Sequence, residues 1–311
     1  MITFQIAFLN VLLSLLYMFP GFLLCKCKKA AADHLPSICT ILIYVCSPCM
    51  IVSSFLSMEY KKEDLMRMVL FFLISLVMQL LFMGGVFIIC RKKFHLSRYR
   101  MLTIGSVLGN VGFFGLPLVK ALMPDCPEVA CYSSIYVVSM NLIVFTAGVF
   151  CLTTEKKYMS LKAAFNNPAF YSFVVAVPLY LVNASSFLPS FLVEGVSLLG
   201  KMTTPLCMLI LGIRLATMDI KKLFTNSFVY LICAGKLLLF PLFCYALVSF
   251  LPLPVSFKGS ILMLAATPCA SIILNLAEIH KKEPEMSANC ILLSTLLSIF
   301  TIPLMALFLS F

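Results

Sequence analysis

Ten long apolar runs succeed one another along the chain, at 3–24, 36–57, 66–90, 100–123, 129–152, 167–184, 189–217, 225–250, 256–279 and 287–310. Most of them reach the ~20 residues that a helix needs to cross the hydrocarbon of a bilayer. Short loops separate them, and no stretch reads as a separate soluble domain. Of the 311 residues, 62% are hydrophobic and 11% charged, against about 25% charged in ordinary globular domains. In lipid every backbone amide and carbonyl needs an internal partner, and a helix supplies it within one segment. The chain therefore reads as an all-α membrane protein with ten transmembrane helices.

The net charge of +11 could suggest a nucleic-acid binder. The cations, however, sit in loops between apolar runs, without helix-turn-helix or zinc-finger spacing. In and beside the loops after runs 1, 3, 5, 7 and 9 there are fifteen Lys and Arg; those after runs 2, 4, 6 and 8 hold five. The positive-inside rule then makes the first set cytoplasmic and puts both termini outside. Most of the fourteen cysteines lie inside apolar runs, where a free thiol acts as a small hydrophobe. The three histidines stand away from any Cys pair, so no metal site is expected. The first run lacks a basic leader and reads as a span rather than a cleaved signal.

An internal repeat is visible in the prolines. Pro20, Pro36, Pro48 and Pro117 recur as Pro178, Pro189, Pro205 and Pro268 at similar offsets, and Leu35-Pro36-Ser37 mirrors Leu188-Pro189-Ser190. The halves are 1–155 and 156–311. Each contains five spans, an odd number, so the second half must be inverted relative to the first. Inverted halves are a recurring way to build alternating access.

Two runs are interrupted. Run 4 contains Gly109-Asn110-Val111-Gly112-Phe113-Phe114-Gly115-Leu116-Pro117-Leu118, and run 9 contains Ala266-Thr267-Pro268-Cys269-Ala270-Ser271 with Asn275 beyond. Gly and Pro free backbone groups that lipid cannot satisfy, so such breaks must face protein or a water-filled cavity. Broken spans in corresponding positions point to a transporter's substrate site. Asn110, Gly112, Gly115 and Pro117 are candidates on the first side, and Thr267, Pro268, Ser271 and Asn275 on the second. Half-helix N-termini there would suit a carboxylate; a packed proline kink is the plainer alternative.

Lys236 falls in the middle of run 8, where a cation is costly. It is either a counter-charge for an anionic substrate or a lysine that snorkels or pairs with a carbonyl. Lys201 lies nearer the outer face, while Arg214 and Lys120, near span ends, read as anchors. Gln79 and Asn141 are mid-span and read mainly as ties between helices. Ser47 and Thr204 precede repeat-related prolines and would line a path or bond back to their own helices. No carboxylate sits clearly at mid-span: Glu194 and Glu278 lie near the edges of runs 7 and 9. That disfavours a proton relay through a buried acid and leaves the coupling ion, H+ or Na+, open.

The 109–118 motif resembles the first crossover of the auxin efflux carrier family, which includes malonate- and malate-type permeases and plant auxin exporters. So do Ala265-Ala266-Thr267-Pro268-Cys269-Ala270-Ser271 with Leu276-Ala277-Glu278, and Pro205-Leu206-Cys207-Met208-Leu209-Ile210-Leu211-Gly212. The resemblance covers essentially the whole chain. It implies helices 4 and 9 crossing at mid-membrane around the substrate, a scaffold and a mobile transport subdomain, and a homodimer through the scaffold. One departure is Ile272, where family members often carry Asn; another is the short connector 153–166 in place of a long cytoplasmic loop.

These features together point to a permease for a small organic anion, a carboxylate first, integral to the plasma membrane or an organelle membrane. It would have no cofactor and no nucleic-acid partner. The alternative is a non-transporting sensor on the same fold. An enzyme lacks support: no His/Asp pair, Ser-x-x-Lys arrangement or metal-ligand cluster lies within the runs.

Overall fold

Helix follows apolar run along nearly the whole chain. The structure, a computed structural model, describes residues 2–218 and 220–309. Asp219 and the side chains of Lys221 and Lys222, two of the loop lysines counted for orientation, lie outside that description. The principal helices of the first half are α1 (Thr3–Lys26), α2 (Ala32–Leu56), α3 (Lys62–Lys93), α4 (Ser97–Gly105), α5 (Val111–Leu122) and α6 (Glu128–Thr153). The second half has α7 (Pro168–Leu181), α8 (Ser190–Thr217), α9 (Ser227–Ser249), α10 (Val255–Ala265), α11 (Ile272–Ile279) and α12 (Pro284–Leu309). Seven of them, α1, α2, α3, α6, α8, α9 and α12, are long and apolar enough to cross a membrane.

The other three runs form shorter helices. Run 6 is only α7, because Asn167 caps it by accepting from the Phe170 amide at 3.0 Å, and the chain turns left-handed at Asn183. Runs 4 and 9 are each two helices with an irregular segment between, 106–110 and 266–271. Among the described residues there is no strand, and the one extended contact is an antiparallel bridge between Gly109 and Cys269.

Four helices contain a widened π-helical turn, at Leu42–Cys46, Val111–Gly115, Val144–Gly148 and Gly235–Leu239. Pro48, Pro117 and Pro241 each follow one of them by two residues. A proline ring clashes with the carbonyl one turn upstream, and a wider turn moves that carbonyl aside.

Packing joins α1 to α8, and α2 to both α7 and α8; α3 packs on α6, and α9 on α10 and α12. The α1–α8 crossing is close because both helices carry glycine there. A Cβ on Gly212 would lie 1.9 Å from the Met18 carbonyl oxygen, and one on Gly21 2.1 Å from that of Leu209. Such small-residue contacts are how helices approach without a hydrophobic driving force between them. One face of α3 is apolar and open: Val69, Leu73, Val77, Leu81 and Ile88 are all exposed on it, as a lipid-facing helix requires.

Candidate functional site

The two breaks meet. Pro268 has no amide and biases Thr267 away from helix, so the chain leaves α10 and runs extended. The Asn110 amide donates to the Pro268 carbonyl at 2.7 Å, and the Ala270 amide donates to the Leu108 carbonyl at 3.0 Å. Gly109 permits this approach: a Cβ there would lie 2.5 Å from Thr267 Oγ1 and 2.9 Å from Lys236 Nζ. Hydroxyls complete the backbone pairing. Ser133 of α6 donates to the Val111 carbonyl at 3.0 Å, Thr204 of α8 donates to the Phe113 carbonyl at 2.6 Å, and Ser294 of α12 accepts from the Cys269 amide at 2.9 Å.

A cavity of about 400 Å³ lies against this junction, within the usual range for small-ligand sites. The opening turns of α5 and α11, the segments that follow the breaks, form part of its wall through Val111, Gly112, Phe113, Ser271 and Ile272. Several of these opening amides donate to the preceding turn, Val111 to the Gly109 carbonyl at 2.8 Å and Ile273 to that of Ala270 at 3.1 Å. Tyr44, Met50, Val137, Met140, Phe145 and Ile210 make most of the wall apolar. Its polar groups are Asn110, Asn141, Asn166, Asn167, Asn275 and Arg214, with Ser47 and Ser271. Arg214 is the only lysine or arginine among the lining residues, and it pairs with Glu278 at 3.7 Å.

Of the residues singled out in the sequence, Ser47, Asn110, Gly112, Ser271 and Asn275 line the cavity together. Gly115, Pro117, Thr204, Thr267 and Pro268 do not reach it and shape the junction instead. Gly115 packs toward Leu264 and Thr267, Thr267 donates to the Leu264 carbonyl at 2.7 Å, and Thr204 is spent on Phe113. Lys236 is fully buried, does not line the cavity, and donates to the Ala265 carbonyl. Gln79 likewise ties helices: its amide donates to Ser139 Oγ at 3.1 Å and to the Ser75 carbonyl at 3.0 Å.

Asn166 and Asn167 carry no functional signal in the sequence, where Arg214 reads as an anchor and Asn141 mainly as a tie between helices. Arg214 sits in the last turn of α8, where a basic residue reads as an anchor. Asn167 precedes Pro168 and caps α7. Only the fold brings these residues to the α5 and α11 openings.

A family model described as membrane transport protein matches the chain over residues 6–165 and 153–306. No curated protein matches the chain significantly.

Proposed function

We propose, from the premise that the chain belongs to the membrane transport protein family, the auxin efflux carrier family whose motifs it carries, that it is a secondary carrier for a small organic anion. One observation carries this: two helix breaks, hydrogen-bonded to each other, open beside a cavity whose single lining cation is Arg214. The positive poles at the starts of α5 and α11 and the Arg214 guanidinium suit a carboxylate. The apolar wall favours a carboxylate with an apolar body. Asn110, which is 6% exposed, can donate to the anion or accept from a hydroxyl on it.

The ten-span, two-repeat architecture, with halves 1–155 and 156–311, belongs to this proposal. It accounts for the paired packing of α1 on α8 and α7 on α2, the first span of each half against the second of the other. With odd-numbered loops in the cytoplasm, Arg214, Asn166 and Asn167 stand at the cytoplasmic ends of their helices, so the cavity opens inward. Alternating access would move the helices holding the breaks, α3–α6 and α9–α12, against α1, α2, α7 and α8.

Thermal melting of the purified protein against a panel of carboxylates and their neutral amides tests the binding step. A carboxylate at 100 times its Kd is expected to stabilise by about 2.7 kcal/mol, and its amide should not. Arg214→Gln should weaken that binding roughly 10- to 100-fold, since a hydrogen bond to a charged group contributes about 1.5–3 kcal/mol. Uptake into proteoliposomes tests the transport step. Binding without uptake would turn the assignment to the sensor, and stabilisation by no carboxylate would remove the anion.

A further inference from the structure

Lys236 has no use in the cavity, yet the fold places it with care. It lies in the π-helical turn Gly235–Leu239 of α9 and is 0% exposed. Among the described residues no carboxylate stands within ion-pair distance of it. Its ammonium donates instead to the carbonyl of Ala265, the last residue of α10. That end of a helix carries unpaired carbonyls and the negative pole of the macrodipole. The same nitrogen would be 2.9 Å from a Cβ at Gly109 in the other break, and it lies 5.0 Å from the centroid of the Phe240 ring. One ammonium thus sits between the end of α10 and an aromatic face, two surroundings that favour a positive charge, and packs close beside the Gly109 segment.

We propose that Lys236 is a resident cation, tethered at the back of the junction where a free metal cation would otherwise be needed, so that the crossing of the two breaks assembles without Na+. A cation at the negative pole of a half-helix stabilises it, and more so where water does not screen the charge. A carrier can borrow that charge from solution or build it in, and here it is built in. The lysine stem reaches from α9, so the charge travels with the junction through any movement and is never released. Transport through this chain should then be indifferent to the Na+ gradient.

The proposal rests on the carrier reading for its meaning, but its test uses no substrate, so the two can fail separately. The purified protein is melted at constant ionic strength in the chlorides of Na+, K+, methylammonium and N-methylglucamine. Wild type is expected to melt at one temperature in all four. Lys236→Ala should melt lower and regain at least about 2 °C in Na+ or methylammonium, but not in the bulky N-methylglucamine. A Na+-specific rise in wild type, or a K236A protein that no small cation restores, would overturn the proposal. If K236A does not survive purification, Lys236→Met decides, since it keeps the stem without the charge. Melting at the wild-type temperature refutes the resident cation, and lower melting beside a wild type blind to Na+ supports it.

Discussion

Single residues at the junction carry constraints that composition hides. Gly109 and Gly84 are both glycines within apolar runs, but their surroundings differ sharply. A Cβ on Gly109 meets Thr267 and Lys236 below 3.0 Å, while one on Gly84 meets nothing within 4 Å. Gly109→Ala is therefore expected to cost about 1–3 kcal/mol, the usual price of overpacking. Gly84→Ala should stabilise, by roughly 0.5–1 kcal/mol, because alanine loses less backbone entropy in a helix. Melting temperatures of the two variants compare these directly, and equal losses would mean that the close approach at Gly109 is not needed. The same contrast separates the cations. Lys236 and Arg214 are each a basic residue inside an apolar run, and only their neighbours assign one to the junction and the other to the cavity.

At the scale of the helix, interruptions were readable and lengths were not. Pro117 and Pro268 mark the breaks in the sequence, and Pro48, Pro117 and Pro241 mark three of the four widened turns. Both effects follow from one local cause, a missing amide and a ring that displaces the preceding turn. The short span of α7 instead depends on what Asn167 and Asn183 do at its ends. Helix-to-helix ties also have modest energies. Gln79 joins α3 to Ser139 of α6, but its Oε1 is buried without a partner. Hydrogen bonds between membrane helices average about 0.6 kcal/mol, and Gln79→Leu also removes the unsatisfied acceptor. Its melting temperature should therefore stay close to that of wild type, and a large drop would show that Gln79 holds more than one neighbouring helix.

For the whole molecule, the charge of the loops predicts orientation, and packing sets access. If the proposed orientation holds, the cavity should be reachable from the cytoplasm. In a chain with its cysteines replaced, Ser271→Cys should react with a membrane-impermeant maleimide from the cytoplasmic side, and labelling from the outer side alone would reverse the orientation. The sequence by itself determined that the chain is helical and lies in a membrane, and where two of its helices are broken. Those properties follow from apolar content, charge placement and the covalent limits of proline, all of which act within a few residues. Tertiary structure alone decided that Gly109 pairs with Cys269, that Arg214 meets Glu278 across α8 and α11, and that Lys236 ends on Ala265. The partners in each pair come from separate helices, and no short-range rule of chain geometry determines which helices become neighbours.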